Sequence, residues 1–358
     1  MLFFTLLMFL SSPVHAGPLR IKVVAEPAAR ERAAEFIREV SRLEPFRQLI
    51  RQRKVIISDR PAIVRDLNCR GGHLGIPRLA ACDTNRTRYV CSGADFCPLF
   101  TGVPNIGAGG RFNPISSATF PWTTMLHELV HSYGFTDDYG YTPTEAPIYC
   151  TVNDWPNGHW DNLPSSYPDA MSAQAACVER VPWCREALAA GTPVVHELPT
   201  GGFAIGSPPP ASGCPSDVLG VYVGGSCQNM PAGQAWRPYF CPTVMGHPAL
   251  GEDLCMVNRR HAIISRSPNL IPRYYQKVIF DEIVRRKQLR GLVFQPAAFE
   301  QVDDSFRYGL PVVDRLRHPA GPLPEVCAGE ELELAQQLLR RWRGIASPPS
   351  EHMGCMHK

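Results

Sequence analysis

The chain has 358 residues, with 36 Lys and Arg against 33 Asp and Glu, a net charge of +3. This balance argues against a nucleic-acid binder or a polybasic membrane protein, and 44% hydrophobic residues are enough for a sizeable core. The 29 glycines and 35 prolines predict long irregular connections.

Residues 2–10 (LFFTLLMFL) form an apolar run, broken by Ser11, Ser12 and Pro13. Ala16 precedes Gly17 in a small-residue cleavage context, so residues 1–16 read as a secretory signal peptide. The run is far shorter than the roughly 20 residues needed to span a bilayer. No stable membrane insertion is expected after cleavage. Thirteen cysteines point the same way, to an oxidising compartment with several disulfides, and so to a secreted or periplasmic protein.

A strand is expected over Ile21–Ala25. A helix follows over 28–52, with Phe36, Ile37, Val40, Leu43, Phe46 and Ile50 on one face and Pro45 splitting it. A second strand is expected over Lys54–Ser58. This strand–helix–strand opening suits an α/β or α+β subdomain. Residues 67–120 read as loop-rich, with a short strand at Arg88–Cys91 and a flexible turn at Gly107–Gly110. The clearest helix is 123–133 (TTMLHELVHSY), capped by Thr123 or Thr124 and ended by Gly134. Residues 140–260 read as cysteine-rich loops with a short helix near Pro182–Ala190. A helix at 271–289 presents Ile271, Tyr274, Tyr275, Val278, Ile279, Ile283 and Val284, and a last one spans about Glu330–Trp342.

Chemistry concentrates at His127-Glu128-Leu129-Val130-His131. Histidines at i and i+4 stand one turn apart on one helix face, so both can bind one metal ion, and Glu128 can reach a water at that ion. A catalytic zinc site takes three protein ligands, so the chain must turn back to bring a third. Gly134 permits the turn and Asp137 follows, with Asp138 as the alternative third ligand. His159, His196, His247 and His261 lack ligand spacing.

The resulting pattern, HExxHxxGxxD, resembles the metzincin signature with Asp in place of the third His. It is most similar to the aspartate-bearing branch of snapalysin-like and IgA-peptidase-like metallopeptidases, where a Tyr also follows, as Tyr139 does here. The resemblance covers about thirteen residues tightly. It implies an α+β metzincin-like fold with a disulfide-rich insertion. It also implies one catalytic Zn²⁺ held by His127, His131 and Asp137, and a turn methionine beneath it, for which Met245 in CPTVMGHP (241–248) is the candidate. His247 then takes the place of a residue that touches the transition state in some relatives. The gap from Asp137 to Met245, 108 residues, is longer than in compact metzincins.

The implied organisation is a signal peptide (1–16), an N-terminal catalytic subdomain (17–139), a C-terminal subdomain with the insertion (140–290) and an extension (291–358). The implied activity is a secreted zinc endopeptidase, acting on protein or peptide through a zinc-activated water with Glu128 as general base. The alternatives are a disulfide-rich binding protein with a non-catalytic metal site, and a zinc amidase acting on cell-wall peptide.

Overall fold

The structure is a computed structural model that describes residues 17–289 apart from 74–75, 77–78, 109–112, 144, 151–154, 211–217, 231–232, 241–242 and 247–269. The expected signal peptide, His247, His261 and the extension at 291–358 with its helix lie outside the described residues.

The first strand differs from expectation. It starts earlier and breaks into β1 (Leu19–Ile21) and β2 (Val24–Ala25). At the break the chain changes partners, the amide of Val23 donating to Ser58 Oγ at 3.1 Å. The helical stretch divides at Pro45 into α1 (Arg30–Val40) and α2 (Phe46–Arg51), as a residue lacking an N–H requires. β1 then pairs in parallel with β3 (Val55–Ile57), which completes the strand–helix–strand opening.

The main sheet adds β4 (Ala62–Ile63), β5 (Leu99–Thr101), β6 (Gly107–Ala108) and β7 (Ile115–Ser117), in the order β4-β2-β5-β7-β6. The first four strands run parallel and β6 is an antiparallel edge. The turn expected at Gly107–Gly110 is therefore wrong for its first two residues: the ladder to β7 extends them. The strand expected at Arg88–Cys91 is also wrong. Those residues end α3 (Thr84–Val90), because the Asp83 carboxylate accepts from the Arg86 amide at 2.9 Å and caps a helix.

β7 leads into α4 (Trp122–His131). Pro121, not Thr123 or Thr124, holds the N-cap position, and both threonines are buried in the first turn. Beyond it come α5 (Ala146–Tyr149), β8 (His159–Asp161), α6 (Ala170–Arg180), α7 (Cys184–Ala189), β9 (Val195–Glu197), β10 (Phe203–Ile205), β11 (Tyr222–Val223) and β12 (Gln234–Arg237). β8, β11 and β12 form a three-stranded antiparallel sheet, and β9 and β10 a hairpin. A 3₁₀ turn, Val244–Gly246, precedes α8 (Arg273–Lys287).

The molecule is thus mixed α and β with several small sheets. Its largest core joins both ends of the described chain. Phe36, Val40 and Phe46 pack in one cluster with Met125, Leu129 and Val130 of α4, Met245 of the 3₁₀ turn, and Tyr275, Ile279, Phe280 and Ile283 of α8. Of the stripe expected on α8, Tyr274, Val278 and Val284 are only partly buried, and Phe280 takes a central place instead.

Among the described residues four disulfides brace the loops: Cys69–Cys82, Cys91–Cys97, Cys150–Cys227 and Cys177–Cys184. They fit an extracellular protein. No described helix is long and apolar enough to cross a membrane.

Candidate metal centre

Every residue of α4 from Trp122 to Val130 is buried, which is why its sequence is apolar on more than one face. Into this setting the helix brings His127 and Glu128, each 1% exposed, and His131 one turn on. The helix ends there, with Ser132 at its C-cap. Gly134 has φ +92°, a conformation that disfavours a Cβ, and reverses the chain. Asp137 returns to the two histidines.

The three side chains converge. His127 Nε2 lies 3.1 Å from His131 Nε2 and 3.0 Å from Asp137 Oδ1, which is 3.5 Å from His131 Nε2. Ligands about 2.0–2.1 Å from a tetrahedral ion stand roughly 3.3 Å apart, so the triangle has the size that such an ion requires.

The outer hydrogen bonds fix which atoms face inward. His127 Nδ1 donates to the Val244 carbonyl at 2.9 Å and His131 Nδ1 to the Phe135 carbonyl at 2.9 Å. In the neutral tautomers both Nε2 atoms therefore carry lone pairs. Asp137 Oδ1 is buried and accepts no conventional hydrogen bond among the described residues. With both imidazoles neutral, three electron pairs meet with no proton between them, an arrangement that a proton or a metal ion relieves. The titration of His131 expresses the same demand. Burial alone would lower its pKa, but the Asp137 carboxylate and then Glu128 outweigh burial and raise it to about 9. Burial likewise opposes the charge on Asp137, yet the histidines hold its carboxyl well below the usual range. The His127–His131–Asp137 group can hold a metal ion.

Asp138 is not part of that triangle. Its backbone N–H donates to the Met245 carbonyl at 2.9 Å. Its carboxylate accepts from Tyr275 Oη at 2.8 and 2.9 Å, from Asn157 Nδ2 at 2.9 Å and from the Thr243 hydroxyl. Asp138 is thus a knot that ties the ligand loop to the 3₁₀ turn, to α8 and to the loop before β8. Burial pushes its carboxyl above the ordinary value despite these donors. Its place as an alternative third ligand is corrected accordingly.

Met245 is fully buried against the α4 core. Its turn touches the site through the Val244 carbonyl, so the 3₁₀ turn supports His127 directly. Tyr139 lies nearly parallel to the His127 ring, with centroids 6.3 Å apart. His159 and His196 stand elsewhere, on β8 and β9.

Sequence reasoning missed Asn157, Thr243 and Tyr275 as parts of the site. Asn157 grips the ligand loop twice more, accepting from the Thr136 amide at 2.8 Å and donating to the Thr136 carbonyl at 2.7 Å. Only Tyr275 carried a signal, a polar tip in the apolar stripe of α8.

Comparison of the chain with protein families, with characterised proteins and with solved structures finds no match.

Proposed function

We propose that this chain is a secreted zinc-dependent endopeptidase of the aspartate-bearing metzincin type. The observation that carries the reading is the convergence of three lone pairs, from His127, His131 and Asp137, on one point beside Glu128. Two nitrogens and one carboxylate oxygen at these spacings suit Zn²⁺.

When bound, zinc supplies a Lewis acid that polarises a carbonyl and acidifies a water. The chain's own residues do the rest. Glu128, next in sequence to a ligand and buried, takes a proton from the attacking water and returns it to the leaving amine. Its place is fixed by the helix backbone. The Val244 and Phe135 carbonyls hold the imidazoles in the tautomer that offers Nε2. Asp138, through its donors, fixes the direction from which Asp137 arrives. A purely structural site has no use for a carboxylate at position 128, which favours catalysis over the binding-protein alternative.

The test is hydrolysis of a quenched-fluorescent peptide library by the zinc-supplied mature protein, beside Glu128→Gln. Cleavage that vanishes in the variant while zinc remains bound supports the reading. Zinc bound without cleavage of any peptide turns the assignment to the binding protein. Cleavage confined to cell-wall peptides turns it to the amidase.

A further inference from the structure

Of the three ligand side chains, His131 is the most open: 19% exposed, against 1% for His127 and 7% for Asp137. His131 is also one wall of a cavity of about 640 Å³, together with Gly134, Phe135, Trp155, Arg285 and Arg286. Two aromatic rings and two guanidiniums thus share one cavity with a metal ligand.

Both guanidiniums are hydrogen-bonded to Glu282. Arg285 binds Glu282 through Nε at 2.7 Å and Nη2 at 2.6 Å. Arg286 binds the same carboxylate through Nε at 2.6 Å and the Ser132 carbonyl through Nη2 at 2.7 Å. It also lies over the ring of Phe96, 5.2 Å from the centroid. Nη1 of each has no protein partner among the described residues. Two positive charges face one negative, so the wall keeps one positive charge in excess. Tethering to Glu282 and Ser132 has already restricted Arg286, which lowers the ordering cost of binding an anion beside it.

We propose that this cavity is a subsite for a carboxylate on the peptide substrate, an acidic side chain near the bond to be cut, with Arg285 as the specificity-determining residue. The inference rests on the peptidase reading, and its test does not need hydrolysis. The probes are acetyl-tetraglutamate and acetyl-tetraglutamine, titrated by calorimetry into the zinc-supplied wild-type protein and into Arg285→Ala. Arg285 is 72% exposed, so its loss leaves the core intact. Tighter binding of the glutamate peptide by about tenfold, reduced to near parity in Arg285→Ala and falling with added salt, is expected. Equal binding of the two peptides by wild type, or a glutamate advantage that survives in Arg285→Ala, overturns the subsite. A glutamate advantage that depends on Arg285, with no peptide ever cleaved, leaves the subsite standing and removes the peptidase.

Discussion

The imidazole of His127 donates its Nδ1 proton to the carbonyl of Val244, 117 residues further along the chain. One bond from a turn backbone thus decides that Nε2 of His127 faces Asp137 with a lone pair.

The first expectation concerns metal. The mature protein should bind about one zinc per chain, and His131→Ala, which removes one of the three proposed ligands, should not retain it through dialysis. Binding to the folded state alone stabilises it by about 2.7 kcal/mol at a zinc concentration 100 times Kd. Thermal unfolding followed with and without chelator should show that gain in wild type and not in the variant. No zinc in well-folded wild type sinks the site.

The second concerns the Asp138 knot. Tyr275→Phe removes one hydroxyl, leaves the ring in its packing, and strips a donor from a buried carboxylate. A loss of about 1–3 kcal/mol in chemical denaturation is expected. A weakening of zinc affinity by about 10-fold should accompany it, because the support acts on the neighbouring ligand Asp137. Unchanged affinity in a destabilised variant would confine Asp138 to a purely architectural part.

A third expectation follows from Glu282. Burial opposes its charge, but Arg285 and Arg286 outweigh burial and lower its carboxyl. A lowered folded pKa contributes stability above the ordinary carboxylate value, and that stability is lost as pH falls through the folded value. Glu282→Gln should therefore cost about 0.5–1 kcal/mol at pH 7, with the gap to wild type closing below about pH 4. Urea unfolding at several pH values reads this directly, and a gap that widens on acidification contradicts it.

The cross-link between Cys150 and Cys227, separated by 77 residues, bears on the same region. The Tyr141 amide donates to the Ser226 carbonyl at 2.9 Å, beside that bridge. Loop entropy assigns such a closure about 4.5 kcal/mol. Replacing both cysteines by alanine should lower the unfolding midpoint far more than replacing the Cys91–Cys97 pair, which spans only 6 residues. Equal losses would show that loop closure is not what the longer bridge contributes.

The metal triangle was legible in the sequence because its spacing is local. Two histidines one turn apart, a glycine and an aspartate ten residues after His127 need no distant contact to be placed. The parts that were illegible depend on contacts across the fold. Asn157, Thr243 and Tyr275 are ordinary polar residues until the fold brings them to Asp138, from 19, 105 and 137 residues away. α6 lies in the stretch whose cysteines, prolines and glycines read as loop, yet Asp169 precedes eleven residues free of Gly and Pro, and its carboxylate accepts from the Ser172 amide at 2.8 Å. At α3 the β-propensity of Tyr89 and Val90 competes with the helix cap at Asp83, and the cap prevails, with Tyr89 84% exposed.

The long reach of Asp138 imposes an order on the birth of the site. A chain made from its N-terminus exposes His127, Glu128, His131 and Asp137 early, while the partners that steady the ligand loop are still unmade. Asn157 comes first, Thr243 much later, and Tyr275 only when α8 is being synthesised. Until then Asn157 alone of these three steadies the ligand loop. A site built this way stays incomplete through much of its own translation, with α8 the last of the described elements to join it.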